Sequence, residues 1–188
     1  MTEDILDRLR GDLATRAATE GLLDVAYREL DTPIGTLLVA ATQKGVVRLA
    51  FAIEGCDQVL ADLADQISPR VLHAPARLDA AAREVEQYLA GVRRSFDLPL
   101  DLTLARGFRR TVLQHLRDVE YGTSTSYAAL AAAAGSPRAV RAVGTACARN
   151  PLPLLIPCHR VLRSDGSLGG YRGGLEIKAR LLALEAQR

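Results

Sequence analysis

The sequence predicts an α+β chain in two parts, a small antiparallel sheet with helices followed by a mainly helical part that carries a helix-turn-helix. Three observations predict it. Apolar residues alternate with period two between Leu23 and Ile53 and recur at helical spacing over most of the rest. The charge balance reverses along the chain: residues 1–101 hold 11 Lys+Arg against 17 Asp+Glu, and residues 102–188 hold 13 against 5. Between about Ser95 and Leu104, around Pro99, the composition shifts as it does at a domain boundary. The expected domains are therefore 1–100, with a helical extension over 1–20, and 101–188.

Each element has a local reason. Leu6, Leu9, Leu13 and Ala17 lie at helical spacing, with Thr2 as N-cap and Glu3 and Asp4 in the first turn, where carboxylates suit the helix dipole. This reads as a docking helix. Val25, Tyr27 and Glu29 alternate, turn chemistry surrounds Pro33, and two β-rich runs, Thr36 to Thr42 and Val46 to Ile53, flank Gln43, Lys44 and Gly45. An antiparallel meander follows. Cys56, Val59, Leu60 and Leu63 resume helical spacing, as do Leu78, Ala82, Val85 and Leu89, with Gly91 as the glycine that ends the second helix.

Beyond residue 101, Phe108, Val112, Leu113, Leu116 and Val119 make one buried stripe, with Arg109 and Arg110 off it near the helix start. Ser126 to Ala134 is a short helix. Gly135 breaks it, and Ser136 as N-cap with Pro137 at the first helical position announces another. On this second helix Val140, Val143, Gly144 and Cys147 are expected to face the core, leaving Arg138, Arg141 and Thr145 outside with Ala142 between them. An isolated arginine face is ordinarily just solvated. Here it lies in a stretch, Arg138 to Arg180, with eight basic residues against Asp165 and Glu176 alone, which is the footprint of a polyanion partner.

Composition removes several function classes. At 188 residues, 48% hydrophobic and 24% charged, the chain has the makeup of a packed globular protein, not of a disordered tail. Apolar runs such as Leu152 to Pro157 fall far short of the roughly 18–20 residues a membrane span needs, and the opening MTEDILDRLR is charged; a cytoplasmic protein with no membrane partner is expected. Three cysteines and three histidines, without any Cys-x-x-Cys, give neither a disulfide framework nor a metal site. No cofactor is expected.

The chemistry concentrates in Asn150 to Val161. Prolines at 151, 153 and 157 exclude a helix and push Asn150, Leu152 and Ile156 toward extended backbone. Leu154, Leu155 and Ile156 would make a dry approach to Cys158. Cys56 and Cys147, on apolar helix faces, read as ordinary core thiols by comparison. A thiol needs a base to become a nucleophile, and His159 is the obvious one. Because neighbours on extended backbone point apart, a bridging water between them is expected rather than a direct contact. Lys178, Leu182 and Glu185 share one face of a terminal helix that begins after Gly173 and Gly174, so Glu185 is a candidate to orient the imidazole.

These residues resemble a known family. Pro157-Cys158-His159-Arg160-Val161, with Asn150-Pro151 before it and the Gly-Gly-Tyr-Arg-Gly-Gly run from Gly169 to Gly174 after it, is similar to the active-site signature of the O6-alkylguanine-DNA alkyltransferases, also called methylated-DNA-protein-cysteine methyltransferases. The resemblance runs from about Tyr27 to Glu185 and includes the Pro33-Ile34-Gly35 hairpin, Tyr121-Gly122, Ser126-Tyr127 and Arg141-Ala142-Val143-Gly144. It implies stoichiometric, irreversible transfer of the alkyl group from O6-alkylguanine in duplex DNA to Cys158, with O4-alkylthymine as a second substrate to consider. His159 and Glu185 would activate the thiol through water, and Asn150 would brace the turn. Arg141 would fill the gap left by a flipped nucleotide, and Tyr127 would assist flipping and protonate the departing guanine at N3. Ser136 and Ala139 match positions that approach DNA; Arg138 and Arg109 join them on charge. Tyr171, Lys178 and Ser164 match residues around the base. The protein would act as a monomer, with cooperative binding along DNA left open.

Three positions depart from the family pattern: Thr145 in place of a second glycine, Cys147 in place of an apolar residue such as methionine, and Arg172 in place of a small residue after Tyr171. Arg172 bears on the pocket, where it would contact phosphate or narrow access for bulky alkyl groups. Two rival classes were weighed. A cysteine hydrolase would leave the helix-turn-helix without purpose, and a non-catalytic alkylated-DNA sensor or regulator would not need the intact Cys158.

Overall fold

The computed structural model describes residues 2–187, without the side chains of residues 2–7 and 18. The expected N-cap Thr2, the first-turn Glu3 and Asp4, and Leu6 on the apolar stripe therefore lie outside the described side chains. The chain divides into two compact units, Met1–Glu86 with Asp97–Asp101, and Gln87–Phe96 with Leu102–Arg188.

The first unit is built on a four-stranded sheet. Strands β1 (Val25–Leu30), β2 (Leu37–Thr42) and β3 (Gly45–Phe51) form the expected antiparallel meander, in the order β3-β2-β1-β4. The fourth strand, β4 (Val71–His73), pairs parallel to β1 and was not foreseen, because three residues between Pro69 and Pro75 are too few to carry a period. β3 stops at Phe51 instead of Ile53: Ala52–Glu54 turn into a 3₁₀ helix and leave Ile53 exposed. Helix α1 (Thr2–Thr19) lies against β4 through Ala14 and Ala17, whereas Leu9 and Leu13, expected to dock, are more than half exposed. Alanine permits the closer approach of backbone, which sets the buried stripe one residue away from the leucines. Helix α2 (Cys56–Gln66) buries Val59 and Leu63; helix α3 (Asp79–Leu89) buries Ala81, Ala82 and Val85, with Leu78 buried in the 3₁₀ turn just before it.

Residues 97–101 return to the edge of β3. Val46 N donates to Pro99 O (2.8 Å), Asp101 N donates to Val46 O (2.8 Å), and Thr42 Oγ1 donates to Asp101 Oδ2 (2.7 Å). This closure depends on Gly45, whose φ is +138° and where an added Cβ would stand 2.2 Å from Pro99 O.

The second unit is mainly helical. Helix α4 (Gly107–Leu116) buries Val112, Leu113 and Leu116, each contributing roughly 1.5–3 kcal/mol by burial. Phe108 and Val119, expected on the same stripe, are only half-buried. A two-residue strand β5 (Thr125–Ser126) pairs parallel to β6 (Val161–Leu162). Helix α5 (Tyr127–Ala133) is capped by Ser126, whose Oγ accepts from Ala129 N at 3.0 Å. Helix α6 (Val140–Ala148) packs on α4 and α5, so the helix-turn-helix is present, with Gly135 at φ +72° between its helices.

Its second helix starts later than expected. Ser136 is not an N-cap; Ser136 to Ala139 form a turn in which Ala139 N donates to Ser136 O (2.8 Å), and the helix begins at Val140. The buried stripe is accordingly Val143, Ala146 and Cys147, while Val140, expected inside, is 38% exposed. Arg138, Arg141, Ala142 and Thr145 are exposed, as the pattern required. The terminal helix α7 (Leu175–Ala186) buries Lys178, Leu181 and Glu185, with Leu182 half-buried beside them.

Replacing Gly45 by alanine forces both a left-handed backbone and a clash with the Pro99 carbonyl. The expected loss is about 2–4 kcal/mol, measured as a fall in the urea midpoint with unchanged slope; an unaltered midpoint would show that residues 97–101 do not depend on that close approach.

Candidate active site

Three prolines leave the stretch after Asn150 without a ladder of backbone donors, and one side chain replaces it. Asn150 Oδ1 accepts from Leu152 N (3.0 Å), and its Nδ2 donates to Ile156 O (2.9 Å) and to Cys158 Sγ (3.2 Å). The backbone here is a tight turn, not the extended track expected from the prolines. Ile156 N donates to Leu152 O (2.8 Å) and Leu154 takes φ +71°, after which Cys158–Arg160 form a 3₁₀ helix. The prolines exclude an α-helix but allow this turn because Asn150 and Leu152 accept its donors. Leu152, Leu154, Leu155 and Ile156 are all buried around it, so the expected dryness holds, and Cys158 is 4% exposed.

Burial pushes the Cys158 thiol up to about 11, opposed by the Asn150 amide and the Lys178 charge. His159 is anchored on the adjoining network. Its Nε2 lies 2.6 Å from Glu185 Oε1, while its Nδ1 is buried with no hydrogen-bond partner among the described residues. Among the described residues no hydrogen bond joins His159 to Cys158.

Glu185 is the hub. Arg160 grips it as a fork, Nε to Oε2 at 2.9 Å and Nη2 to Oε1 at 3.0 Å, and sends Nη1 to Val119 O at 2.6 Å. Gly122 N donates to Oε2 (3.1 Å), and Tyr88 Oη donates to Oε1. Burial alone would raise this carboxyl, but the hydrogen bonds from His159 and Arg160 outweigh it and hold the group at about 2. For His159 burial prevails and lowers its affinity for a proton, against the attraction of Glu185. The imidazole is thus neutral and oriented, with one nitrogen tied to a carboxylate and the other unengaged.

The remaining predicted residues fall around this centre. Lys178 is buried, and its Nζ donates to Val161 O (2.6 Å) and Gly169 O (3.2 Å), so it fixes two backbone segments. Tyr127 is half-buried and its hydroxyl occupies the space where a Cβ on Gly169 would lie. Tyr171 meets the His159 ring edge-on at 6.2 Å between centroids. Arg172 is exposed, and its charge acts on Cys158. Ser164 is exposed in the turn closed by Gly166 N to Arg163 O (2.9 Å). Arg109 is half-buried and donates to the Leu104 carbonyl, which takes part of its guanidinium out of the exposed basic surface. Ser136 and Ala139 are half-buried and Arg138 and Arg141 exposed at the start of α6.

Two residues were missed. Arg160 stands in the cysteine signature and in the basic stretch, and nothing in its spacing shows that it is buried on Glu185. Tyr88 falls three residues after Val85 on the apolar face of α3, so its burial was legible but its hydroxyl's partner was not. Among the described residues no cluster of three or more His, Cys, Asp or Glu is placed to hold a metal, and no helix is long and apolar enough to cross a membrane.

The depressed Glu185 value has a consequence for stability. Because the folded value of about 2 lies below the ordinary 4.5, the contribution is complete above about pH 4.5 and is lost as pH falls from there toward 2. Its size is about 3 kcal/mol at most. Chemical denaturation from pH 7 to 3 is expected to show a decline in stability below pH 4.5 that Glu185→Gln lacks; parallel curves for the two proteins would contradict the assignment.

Comparison with known proteins places this geometry. Residues 25–102 match the 6-O-methylguanine DNA methyltransferase, ribonuclease-like domain, and residues 107–187 match the 6-O-methylguanine DNA methyltransferase, DNA binding domain. The constitutive methylated-DNA–protein-cysteine methyltransferase of Bacillus subtilis is 41% identical over 160 residues, covering 85% of this chain and 94% of the relative. The crystal structure of the Mycobacterium tuberculosis O6-methylguanine methyltransferase superposes with a TM-score of 0.75 at 34% identity, over 87% of this chain and 94% of that one. The M. tuberculosis OGT in complex with DNA gives 0.72 at 34% identity, over 86% and 92%. The helix-turn-helix, the Asn150-braced cysteine turn and the two matched domains together make this chain a member of the O6-methylguanine DNA methyltransferase family.

Proposed function

We propose that this protein repairs DNA by direct reversal, moving the alkyl group from O6 of guanine in duplex DNA to Cys158 in a single irreversible turnover. The observation that carries this reading is the buried thiol itself: Sγ is held by Asn150, and the histidine next in the chain has its Nε2 fixed by Glu185. Such a site suits displacement at saturated carbon, which requires a deprotonated sulfur and a straight approach and has no use for an oxyanion hole.

The reaction forms the Cys158 S–C bond as the C–O bond to guanine breaks. The thiol proton passes through a bridging water to Nδ1 of His159, and the resulting imidazolium is stabilised by Glu185. Tyr127 supplies a proton to the departing guanine at N3 and regains one from solvent as the imidazolium gives its proton back, so the thiol proton is in net terms the one that ends on guanine. A thioether is inert to hydrolysis, so Cys158 remains alkylated. O4-alkylthymine is a second substrate of the same chemistry.

A methyl on a guanine oxygen is shielded within the duplex, so the nucleotide leaves the stack at a cost of a few kcal/mol. Arg141, exposed on α6 beside the small Ala142, offsets part of this by occupying the gap. Ser136 and Ala139, with slim side chains suited to the minor groove, approach the DNA beside the cationic Arg138; Arg109 contributes to phosphate through the two nitrogens not given to Leu104. Tyr171 and Ser164 contact the base, Lys178 shapes the pocket by holding Val161 and Gly169, and Arg172 limits the size of alkyl group admitted. Residues 101–188 thus hold DNA binding and transfer, with 1–100 as the accompanying α+β domain and 1–20 as its extension. The protein acts as a monomer on DNA.

The test is the intact mass of the wild-type protein and of Cys158→Ala after incubation with a duplex carrying one O6-methylguanine. The expected result is a gain of one methyl group per molecule in the wild type and none in the variant. An unchanged wild-type mass, with the protein retained on the modified duplex, would overturn transfer in favour of a damage sensor.

A further inference from the structure

One hydroxyl in the buried network has no part in the reaction just described. Tyr88, in the last turn of α3, is fully buried, with its ring 5.0 Å from Phe96 and edge-on to Tyr121 at 6.0 Å. Phenylalanine would fill that space equally well. The hydroxyl, however, donates to Glu185 Oε1, the same oxygen that receives His159, and lies 3.2 Å from His159 Nε2.

The hydrogens can be accounted for. A phenol has one proton, and here it goes to the carboxylate, so toward His159 the Tyr88 oxygen presents only lone pairs. Glu185 Oε1 likewise presents only lone pairs. Nε2 therefore faces two acceptors and must carry the hydrogen of the neutral ring, which leaves Nδ1 with its lone pair. The Tyr88 proton also draws on the charge of Oε1, and so weakens the pull of Glu185 on an imidazolium.

We propose that Tyr88 is a positioning residue that locks His159 in its Nε2–H form and moderates the hold of Glu185 on the ring, keeping Nδ1 available as a base at neutral pH. The inference rests on the reading that His159 receives the Cys158 proton. The other groups that act on the ring are the charges of Glu185, Arg160 and Lys178, the neighbouring Cys158 and the edge-on Tyr171. All of them remain in Tyr88→Phe, so any change in titration reports the hydroxyl alone.

Removing the hydroxyl strips Glu185 of one donor, leaves more of its charge for His159, and makes the ring easier to protonate. Tyr88→Phe is expected to stay folded, since Arg160, Gly122 and His159 still serve Glu185. The His159 midpoint, followed by imidazole nitrogen NMR in the unreacted full chain and assigned with His159→Gln, is expected to rise by about half a pH unit or more. The acid limb of the single-turnover methylation rate should move the same way, to higher pH, with a roughly threefold loss of rate at pH values below the midpoint and little loss well above it. A fluorinated tyrosine at position 88, a stronger donor of the same shape, should shift the midpoint in the opposite direction and serves as the test if Tyr88→Phe does not fold. An unshifted midpoint, or a lower rate with an unmoved acid limb, would overturn the proposal. Failure of wild-type methylation would instead defeat the transfer reading, and the NMR midpoint, which needs no transfer, would still decide the role of Tyr88.

Discussion

A carboxylate taken out of water must be paired and hydrogen-bonded or it will not stay charged, and the second unit is organised around meeting that requirement at Glu185. Arg160 supplies the opposing charge, while Gly122, Tyr88 and His159 supply the remaining donors. They reach Glu185 on α7 from three other parts of the unit: Tyr88 from the last turn of α3, Gly122 from the loop after α4, and His159 with Arg160 from the cysteine turn. The site is consequently assembled only when these segments pack together, and the carboxylate that orients the histidine is also a condition for the unit's folding. Removing any one partner leaves the others buried with an incomplete set.

The same economy governs the cysteine turn. Prolines prevent it from joining a helix or a sheet, and Asn150 then satisfies the backbone that the prolines leave bare while touching the sulfur. A single side chain thus sets both the shape of the turn and the surroundings of the nucleophile. Burial makes the thiol reluctant to ionise, and the Asn150 amide and the Lys178 charge offset part of that cost. Exposed Arg141 on α6 and Arg138 in the turn before it, flanked by small residues, belong to this unit too, so the surface suited to a polyanion and the buried chemistry are parts of one fold.

Much of this was legible in the sequence. The alternation that gives β1 to β3, the glycine after α3 and the short helices around Gly135 follow from spacing and turn chemistry. Cys158, His159 and Asn150 stand out by their proline context, and Glu185 by its place seven residues after Lys178 on one helix face. What escaped was set by tertiary contacts. β4 is three residues long and exists because β1 offers it an edge. Alanines, not leucines, seat α1, because closeness of approach is invisible to a hydrophobic pattern. Arg160 and Tyr88 gain their meaning from a glutamate 25 and 97 residues away, and Tyr88 was counted with the α+β half whereas it packs in the helical unit. The extended backbone expected before Cys158 gave way to a turn because a local side chain, Asn150, offered a better set of hydrogen bonds.

The central claim is that Glu185 sets the state of His159 and, through it, the reactivity of Cys158. The most direct measurement is the single-turnover rate of methyl transfer against pH for wild type and Glu185→Gln, at a temperature where circular dichroism shows both folded. The variant is expected to react at least about tenfold more slowly at neutral pH, with its acid limb displaced to lower pH because the imidazolium has lost its counter-charge. An unchanged rate constant with an unchanged profile would contradict that claim.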